Sequence, residues 1–388
     1  MRILLLTVAG GILLGSLLAQ PAGPPTSSLF TPRDPADNPT TPEKVLLGQR
    51  MFESPLLSAG GQVSCQSCHD PRRGFSDARQ QSIGIGGFPV GRNGATLLVA
   101  GLVERFPGQK TIRSKDGRRV LGVESAVLNL EERCLAPIEN AVEMGTSVRR
   151  VVRRLRREPG LNKEFDAAFG TRSEGVTVEK LGKVLAAYLR SLSPRRSAPY
   201  RRYLEGDAGA LSAPQRRGLR IFNGRGRCNR CHSGPALTDG LVHLVALPGS
   251  ARQVRTATAL RNRFQRLVGE AEKPGISKER RALLRKQIQV LGGQGAAYYG
   301  PTPQVGAQTP TLWGLAQTAP YFRDGSVQDM EEAVKTHIEE IQEVHLTEEA
   351  FRPRITAPSA IVASGVDPLP DDLEEEELAD LMAFLRSL

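Results

Sequence analysis

The 388-residue sequence has few aromatic residues, few histidines and few cysteines: 5% of its residues are Phe, Trp or Tyr, and it contains 5 His and 5 Cys. Its basic segments carry no interleaved aromatic side chains, so the stacking platform that single-stranded nucleic acids need is absent. Nucleic acid is therefore not an expected partner. Strand-like alternation is scarce, which argues against an all-β fold. The apolar fraction of 39% is typical of a globular protein and excludes disorder as the main state.

The sequence also lacks an apolar run of the about 20 residues that a spanning helix needs. The apolar stretch from Ile3 to Ala19 is slightly shorter, follows a single Arg and precedes Pro21. This pattern predicts a secretory signal peptide over residues 1–19, followed by a Pro-rich extended arm over residues 20–41. An uncleaved membrane anchor stays an alternative, because the cleavage site matches the small-x-small pattern poorly. Both interpretations predict an exported protein, and a periplasmic location is expected.

Basic residues outnumber acidic ones, and the formal net charge is +11. Much of the excess lies in RRVVRRLRRE at residues 149–158 and in KERRALLRKQ at residues 278–287. A strongly basic surface attracts anionic partners over a long range. The first explanation is a set of solvated helix faces, and an acidic protein partner is the second.

One sequence pattern occurs twice at the spacing of a domain. Residues 47–77 and 218–239 share Gly-x-x-x-Phe, a Cys/His cluster and a final Ser/Thr-Asp, and each copy closes on a similar segment, AAYLRSL or MAFLRSL. An internal repeat of this length predicts two domains of one fold. We place them at residues 42–205 and 206–388, with the boundary in a stretch rich in Pro, Gly and Arg.

Apolar residues recur at helical spacing in both copies, which predicts that both domains are mainly helical. The fold class that follows is mainly α, with two tandem helical domains. The predicted helical stretches are Val45–Phe52, Val148–Leu155, Val178–Leu192, Gln215–Phe222, Met330–Ile341 and Glu375–Leu388.

Four of the five cysteines fall in the pattern Cys-x-x-Cys-His, which occurs twice. Two thiols three residues apart can tether a haem through both vinyl groups, while the following histidine binds the iron. Zinc would need four ligands per site, and the cysteine pairs lack the usual separation of about 15 to 20 residues. A redox pair or a structural disulfide would not require the histidine. We therefore predict two covalent c-type haems, one held by Cys65, Cys68 and His69 and one by Cys228, Cys231 and His232.

Three further segments, SIGIGGFPVGRN, LAPIENAVEMG and TPTLWGLAQTAPYFRDGS, surround the haem motifs in an order and spacing that resemble the bacterial diheme cytochrome c peroxidase family. The resemblance covers the chain from about residue 42 and includes the diheme oxidoreductases that mature methylamine dehydrogenase. It implies a cytochrome-c-like fold for each domain. It also implies a peroxidatic haem at His69 and an electron-transfer haem at His232.

His337 lies on the apolar face of its predicted helix, with Met330 and Val334. On this pattern alone, a satisfied core histidine is the ordinary explanation. The resemblance implies instead that His337 is the sixth ligand of the C-terminal haem, in a position where the family often has Met or Tyr. Of the other two histidines, we expect His243 near the edge of the second haem and His345 on the surface.

The family's distal histidine of the first haem corresponds to Ile85, which cannot bind iron. The resemblance therefore implies a first haem that is five-coordinate or water-bound. The family's catalytic acid matches Glu143, with Glu139 as the less favoured substitute, whereas the residues alone would suggest a solvated or capping Glu. The family's distal Gln matches Arg133, which could polarise the O–O bond or pair with Glu131 or Glu132.

Other positions depart from the family or remain open. The family's inter-haem Trp corresponds to Val123, and the sole Trp of the chain is Trp313. Insertions at residues 107–119 and 261–290 have no counterpart, and Cys134 is best explained as a buried apolar residue. The family also holds a calcium ion between its haem domains, although the asparagine of its ligand set could be a simple turn residue here. The matching calcium positions are Asn93, Thr318 and Pro320.

The function that these features favour is an exported diheme peroxidase. Its expected partners are hydrogen peroxide and a small electron donor, a cytochrome c or a cupredoxin, which the basic surface would suit if the donor is acidic. Two alternatives stay open: a diheme enzyme that uses peroxide to oxidise side chains of a partner protein, and a non-enzymatic electron carrier. The relative that acts on a protein uses a surface Trp where this chain has Gly226, although Trp313 or the pair Tyr298 and Tyr299 could substitute. A homodimer also stays open.

Overall fold

The computed structural model describes residues 29–103, 106–113, 119–240, 242–244, 270, 275–277, 279–281, 284, 306–338 and 373–388. Helices and short 3-10 turns form most of the regular structure in this part of the chain; besides the nine helices named below, residues 270, 279–281 and 284 are helical. The expected signal peptide, His345 and most of the insertion at 261–290 lie outside the described residues. The helices are α1 (Pro42–Glu53), α2 (Leu130–Glu139), α3 (Val148–Leu155), α4 (Leu161–Phe169), α5 (Val178–Ser191), α6 (Pro199–Leu204), α7 (Ala213–Asn223), α8 (residues 330–338) and α9 (Glu375–Leu385).

Most helices begin at a side chain that caps their first turn. Thr41 accepts a hydrogen bond from the Lys44 amide before α1, and Pro42 fits the first helical position, where its missing N–H costs nothing. Ser212 and Gln215 form a reciprocal capping box at the start of α7. The sequence therefore fixes the starts of these helices locally, whereas their orientation depends on packing.

Two antiparallel pairs of strands add to the helices, and the sequence analysis did not predict them. Strands β1 (Phe106–Arg113) and β2 (Arg119–Leu128) form a hairpin that accounts for the insertion at 107–119. Its register shifts between Gln109 and Lys110, and this irregularity interrupts the alternation by which strands are recognised. Strands β3 (Val242–Leu244) and β4 (Gly306–Gln308) form the second pair.

Each Gly-x-x-x-Phe segment of the repeat lies where two helices cross closely. A Cβ atom on Gly48 of α1 would stand 2.0 Å from the carbonyl oxygen of Val184 on α5. A Cβ atom on Gly218 of α7 would stand 2.0 Å from the carbonyl oxygen of Asp380 on α9. Only glycine allows backbones to approach this closely. The two halves of the repeat therefore share one helix crossing.

The phenylalanine of each segment extends the contact between the two crossing helices into the apolar core. The ring of Phe52 lies 5.1 Å from that of Tyr188, and the ring of Phe222 lies 5.2 Å from that of Phe384. Tyr188 and Phe384 are the aromatic residues of AAYLRSL and MAFLRSL. The first pair belongs to an apolar core built mainly from residues 47–192, and the second pair to a core that also contains Trp313. The two aromatic pairs thus lie in different cores, and the domain division near residue 205 stays a prediction.

The segment that precedes α1 contacts both cores. Phe30 packs edge-on against Trp313 in the second core, with 5.5 Å between ring centroids. Asn38, further along the same segment, donates to Glu131 at 2.9 Å and to the Lys183 carbonyl at 3.1 Å, beside the first core. This arm therefore contacts both cores and links them.

The prediction of a mainly helical fold is confirmed, and among the described residues no helix is long and apolar enough to cross a membrane.

We predict that Gly48→Ala and Gly218→Ala each destabilise the protein by about 3 kcal/mol, because the added methyl group forces the crossing helices apart. Gly209→Ala is the matched control, since a Cβ there meets only a side-chain atom of Asp207 at 3.5 Å. Chemical denaturation of the three variants measures the difference. Equal stability of the Gly48 and Gly209 variants would contradict the account of the crossing.

Candidate functional site

The first Cys-x-x-Cys-His motif forms a tight turn that brings its ligands together. A 3-10 helix over Cys65–Ser67 begins at Ser64, whose hydroxyl pairs with that of Ser67. The amides of Cys68 and His69 both donate to the carbonyl of Cys65, at 3.2 and 3.0 Å. One short turn therefore presents two thiols and one imidazole, as covalent attachment and axial ligation of a haem require.

The imidazole of His69 is oriented by the backbone. Its Nδ1 lies 3.0 Å from the carbonyl oxygen of Phe75, so Nδ1 carries the proton and Nε2 has a free lone pair. Phe75 takes a positive φ of 61°, which directs this loop back to the motif. Burial lowers the pKa of His69 and so favours the neutral imidazole, the form that binds iron.

The second motif repeats this arrangement. A 3-10 helix over Cys228–Arg230 places the amide of His232 2.9 Å from the carbonyl of Cys228. Nδ1 of His232 lies 3.1 Å from the Pro310 carbonyl and 3.3 Å from that of Leu237. Nε2 is again the nitrogen that remains for a metal.

His337, on α8, faces His232. The two ring centroids are 6.3 Å apart, and the ring planes are inclined by 63°. A metal–nitrogen bond of about 2 Å plus about 1 Å from nitrogen to ring centre, taken on both sides, gives about 6 Å. Burial and, second, the charge of His232 lower the pKa of His337 to about 4, so this imidazole is neutral. The geometry fits two axial ligands of one iron.

The cysteines of the motifs are partly buried. Burial raises the pKa of Cys65 to about 12, that of Cys68 to about 11 and that of Cys228 to about 12. A reactive redox cysteine would need the opposite shift, toward the thiolate. The fifth cysteine, Cys134, packs against the first core, and burial raises the pKa of its thiol too. These environments fit haem attachment and a structural role for Cys134.

Glu143 lies in a turn that follows α2. The amides of Met144 and Gly145 both donate to the carbonyl of Asn140, which closes the turn. Asn140 also donates from Nδ2 to Oε1 of Glu143 at 2.9 Å, and the guanidinium of Arg92 donates to the same oxygen. The side chain of Glu143 is 16% exposed. The result is a largely buried carboxylate held by two donors on one oxygen.

The loop that carries Ile85 packs directly on this turn. The amide of Ile85 donates to the carbonyl of Glu143 at 3.1 Å. A Cβ on Gly84 would stand 1.8 Å from the Val142 carbonyl, and a Cβ on Gly145 would stand 2.1 Å from Cδ1 of Ile85. The two glycines thus allow both loops to touch. The hydrocarbon side chain of Ile85, which the family resemblance matches to a distal histidine, therefore packs against the turn of Glu143.

Arg133 belongs to the surroundings of Glu143. The carboxylates suggested as its partners are engaged elsewhere: Glu131 accepts from Arg190 at 2.5 Å, and Glu132 caps α2. Burial and, second, the charge of Arg92 lower the pKa of Arg133, whereas Glu143 raises it. The structure therefore groups Arg133 with Arg92 and Glu143.

Glu139, the less favoured candidate for the catalytic acid, is exposed and accepts a hydrogen bond from the Val148 amide at 3.4 Å.

The residues matched to a calcium site meet between the two halves of the chain. The side-chain amide of Asn93 donates to the carbonyl of Pro320, while its Oδ1 is buried and has no hydrogen-bond partner among the described residues. Thr318 lies two residues before Pro320, after the 3-10 turn Leu315–Gln317. A buried acceptor without a donor, beside backbone carbonyls, suits a hard cation that binds oxygen.

The remaining positions that the sequence singled out lie in the hairpin, in the second strand pair and in the second core. Val123 is part of the hairpin strand β2, and His243 pairs with Ala307 between β3 and β4. Trp313 is fully buried, and its indole N–H donates to the Pro235 carbonyl at 2.7 Å, just after the second haem motif.

Arg92 and Asn140, which hold Glu143, were not predicted from the sequence. Their only signal was their place inside GRNG and PIENAVEMG, the segments that carry Asn93 and Glu143.

Comparisons with known proteins agree with this geometry. The sequence model of the di-haem cytochrome c peroxidase family matches residues 42–209. The chain is 30% identical to cytochrome-c peroxidase IdrP1 of a Pseudomonas species over 81% of this chain and 76% of the relative. It is 28% identical to the methylamine utilization protein MauG of Methylorubrum extorquens over 91% of this chain and 80% of that protein.

Solved structures give the same result. A MauG-like protein associated with microbial copper homeostasis superposes with a TM-score of 0.58 and 26% identity, covering 92% of both chains. The diheme peroxidase BthA of Burkholderia thailandensis shares the fold, with a TM-score of 0.58 over 92% of this chain and 89% of that one. With its duplicated Cys-x-x-Cys-His turns, the chain belongs to the di-haem cytochrome c peroxidase family.

Proposed function

We propose that this chain is an exported peroxidase that reduces hydrogen peroxide to water with electrons from a small redox protein. The observation that carries the proposal is the largely buried carboxylate of Glu143, clamped by Arg92 and Asn140 beside Ile85. A carboxylate in a sheltered pocket suits proton transfer, and Ile85, which cannot bind iron, would leave the first haem accessible to peroxide. The periplasm is the expected location.

Two c-type haems supply the redox chemistry, since they exchange single electrons and the first can react with peroxide. Around the first haem, Glu143 takes the proton from one peroxide oxygen and delivers it to the other, which departs as water. Arg133 favours the same step, because a cation near the peroxide stabilises the negative charge that develops as the O–O bond breaks.

The second haem site has a different task. His232 and His337 would hold the iron of the second haem between them, so that this haem would exclude peroxide and would store and relay electrons. The basic surface would favour an acidic protein as the electron donor. Three exposed arginines of α3 contribute to this surface: Arg149, Arg150 and Arg153.

A protein as the oxidised substrate is the second candidate, favoured by one chain of aromatic rings. The ring of Tyr200 lies 5.8 Å from Trp313 in the second core, and Tyr203 stacks on Tyr200 at 6.3 Å. Tyr203 is partly exposed, so these rings connect the interior near the second motif with the surface. Turnover of peroxide with a reduced donor protein distinguishes the favoured function from this one and from a simple electron carrier.

A calcium ion between the two halves forms part of the proposal. The ligands would be Oδ1 of Asn93 and the backbone carbonyls of Thr318 and Pro320, completed by water. The buried Oδ1 of Asn93, which has no hydrogen-bond partner, supports this assignment.

We predict that Glu143→Gln lowers kcat for peroxide at least about tenfold while both haems stay attached, because the amide cannot carry the proton. Glu139→Gln is the matched control, since Glu139 is an exposed carboxylate at the end of α2, just before the turn that carries Glu143. Steady-state kinetics with a reduced cytochrome, together with the haem content, provide the measurement. Normal turnover by the Glu143 variant and a loss in the Glu139 variant would reassign the proton transfer.

We predict that His337→Gly converts the second haem from low-spin to high-spin, because the ligand opposite His232 is removed. The optical spectrum of the ferric protein reports this change, and added imidazole should restore the low-spin state. A spectrum identical to that of the wild type would remove His337 from the iron.

We predict that EGTA lowers the thermal unfolding temperature and that excess calcium restores it, since a cation bound only by the folded protein stabilises that state. Asn93→Ala should unfold at the same temperature with and without EGTA. If EGTA leaves the unfolding temperature of the wild type unchanged, the calcium assignment is wrong.

A further inference from the structure

Arg92 and Asn93 are adjacent in the chain but bond to different parts of the molecule. The guanidinium of Arg92 donates to Oε1 of Glu143. The backbone amide of Asn93 donates to the carbonyl of Arg323 at 2.7 Å, and its side chain donates to the carbonyl of Pro320. The backbone from which Arg92 extends is thus held by the C-terminal half of the chain.

The same stretch is also held from its N-terminal side. The amide of Ser82 donates to the carbonyl of Arg92 at 3.1 Å, and the amide of Val90 donates to the carbonyl of Ser82 at 2.9 Å. Within this loop, the amide of Ile85 donates to the carbonyl of Glu143 at 3.1 Å. Arg92 therefore reaches Glu143 from a loop that is itself fastened to the Glu143 turn.

The donors around Glu143 are distributed unevenly between its two oxygens. Arg92 and Asn140 both donate to Oε1. Within the part of the chain that the structure describes, no donor is hydrogen-bonded to Oε2. Two donors on one oxygen restrict rotation of the carboxylate, whereas Asn140 alone would leave it free to turn. Oε2 is left to exchange a proton with a substrate.

The ion pair between Arg92 and Glu143 contributes little to the stability of the fold. The side chain of Arg92 is 37% exposed, and ion pairs that reach solvent contribute about 0 to 1 kcal/mol to stability. The contact matters because it orients the carboxylate of Glu143. Proton transfer requires this carboxylate to lie within hydrogen-bond reach of the peroxide oxygens.

We propose that Arg92 is a positioning residue for the peroxidase reaction: it fixes Glu143 through Oε1 and thereby presents Oε2 to the peroxide. This proposal rests on the proposed function of Glu143. Arg92 acts through Glu143, so its contribution disappears when Glu143 can no longer transfer protons. A residue that merely supported the fold would have an effect independent of Glu143.

The test is a double-mutant cycle on the protein with both haems attached, with kcat/KM for hydrogen peroxide as the readout. We expect Arg92→Gln to lower kcat/KM at least about tenfold, and Arg92→Lys, which keeps one charged donor, to lower it less. Haem content and the KM for the electron donor should not change. Arg50→Gln is the matched control, because Arg50 pairs with Glu164 at 2.5 Å on the exposed surface.

The double variant Arg92→Gln/Glu143→Gln decides between the two roles. If Arg92 acts through Glu143, the double variant is as active as Glu143→Gln alone. If the Arg92 substitution lowers kcat/KM by the same factor in both backgrounds, or has no effect in the wild type, the proposal is overturned. Unchanged activity of Glu143→Gln alone would refute the role of Glu143 first, and absence of any peroxide turnover in the wild type would refute the proposed function.

Discussion

The closely packed helix crossing that occurs once in each half of the chain is the constraint on which the rest of the structure depends. At Gly48 and at Gly218 a helix backbone touches a carbonyl of the helix that closes the repeat, and a pair of aromatic rings extends the contact. The haem-binding turn follows shortly after the first helix of each pair. Because the crossing is the same twice, both halves present two thiols and a backbone-oriented histidine in the same way.

The two halves differ in what faces the histidine. In the second half His337 lies 6.3 Å from His232, so the site can close around its iron. In the first half the loop of Ile85, whose hydrocarbon side chain cannot bind iron, packs on the turn of Glu143. Under the proposed function, the first site would admit a small oxidant and the second would exclude it. The contacts of Asn93 with Pro320 and Arg323 join the halves close to the first site.

Much of this arrangement could be predicted from the sequence, and the exceptions have physical reasons. The Cys-x-x-Cys-His turns and six of the named helices have local signals, so residue types and periodicity were sufficient for them, whereas α2, α4 and α6 were not predicted. The β1–β2 hairpin was missed because its register shift interrupts the alternation. The place of His337 depended on the family resemblance, since a histidine on an apolar face is usually a core residue. Arg92 could not be found, because it meets Glu143 across 51 positions of sequence and nothing local marks the contact.

The central claim is that one haem is open to peroxide and the other is closed by two histidines. Electron paramagnetic resonance of the ferric wild-type protein, before and after one equivalent of hydrogen peroxide, tests it most directly. The account predicts one high-spin signal and one low-spin signal typical of two histidine ligands, both lost on addition of peroxide. Two low-spin signals that do not respond to peroxide would contradict it, since the first site would then be closed.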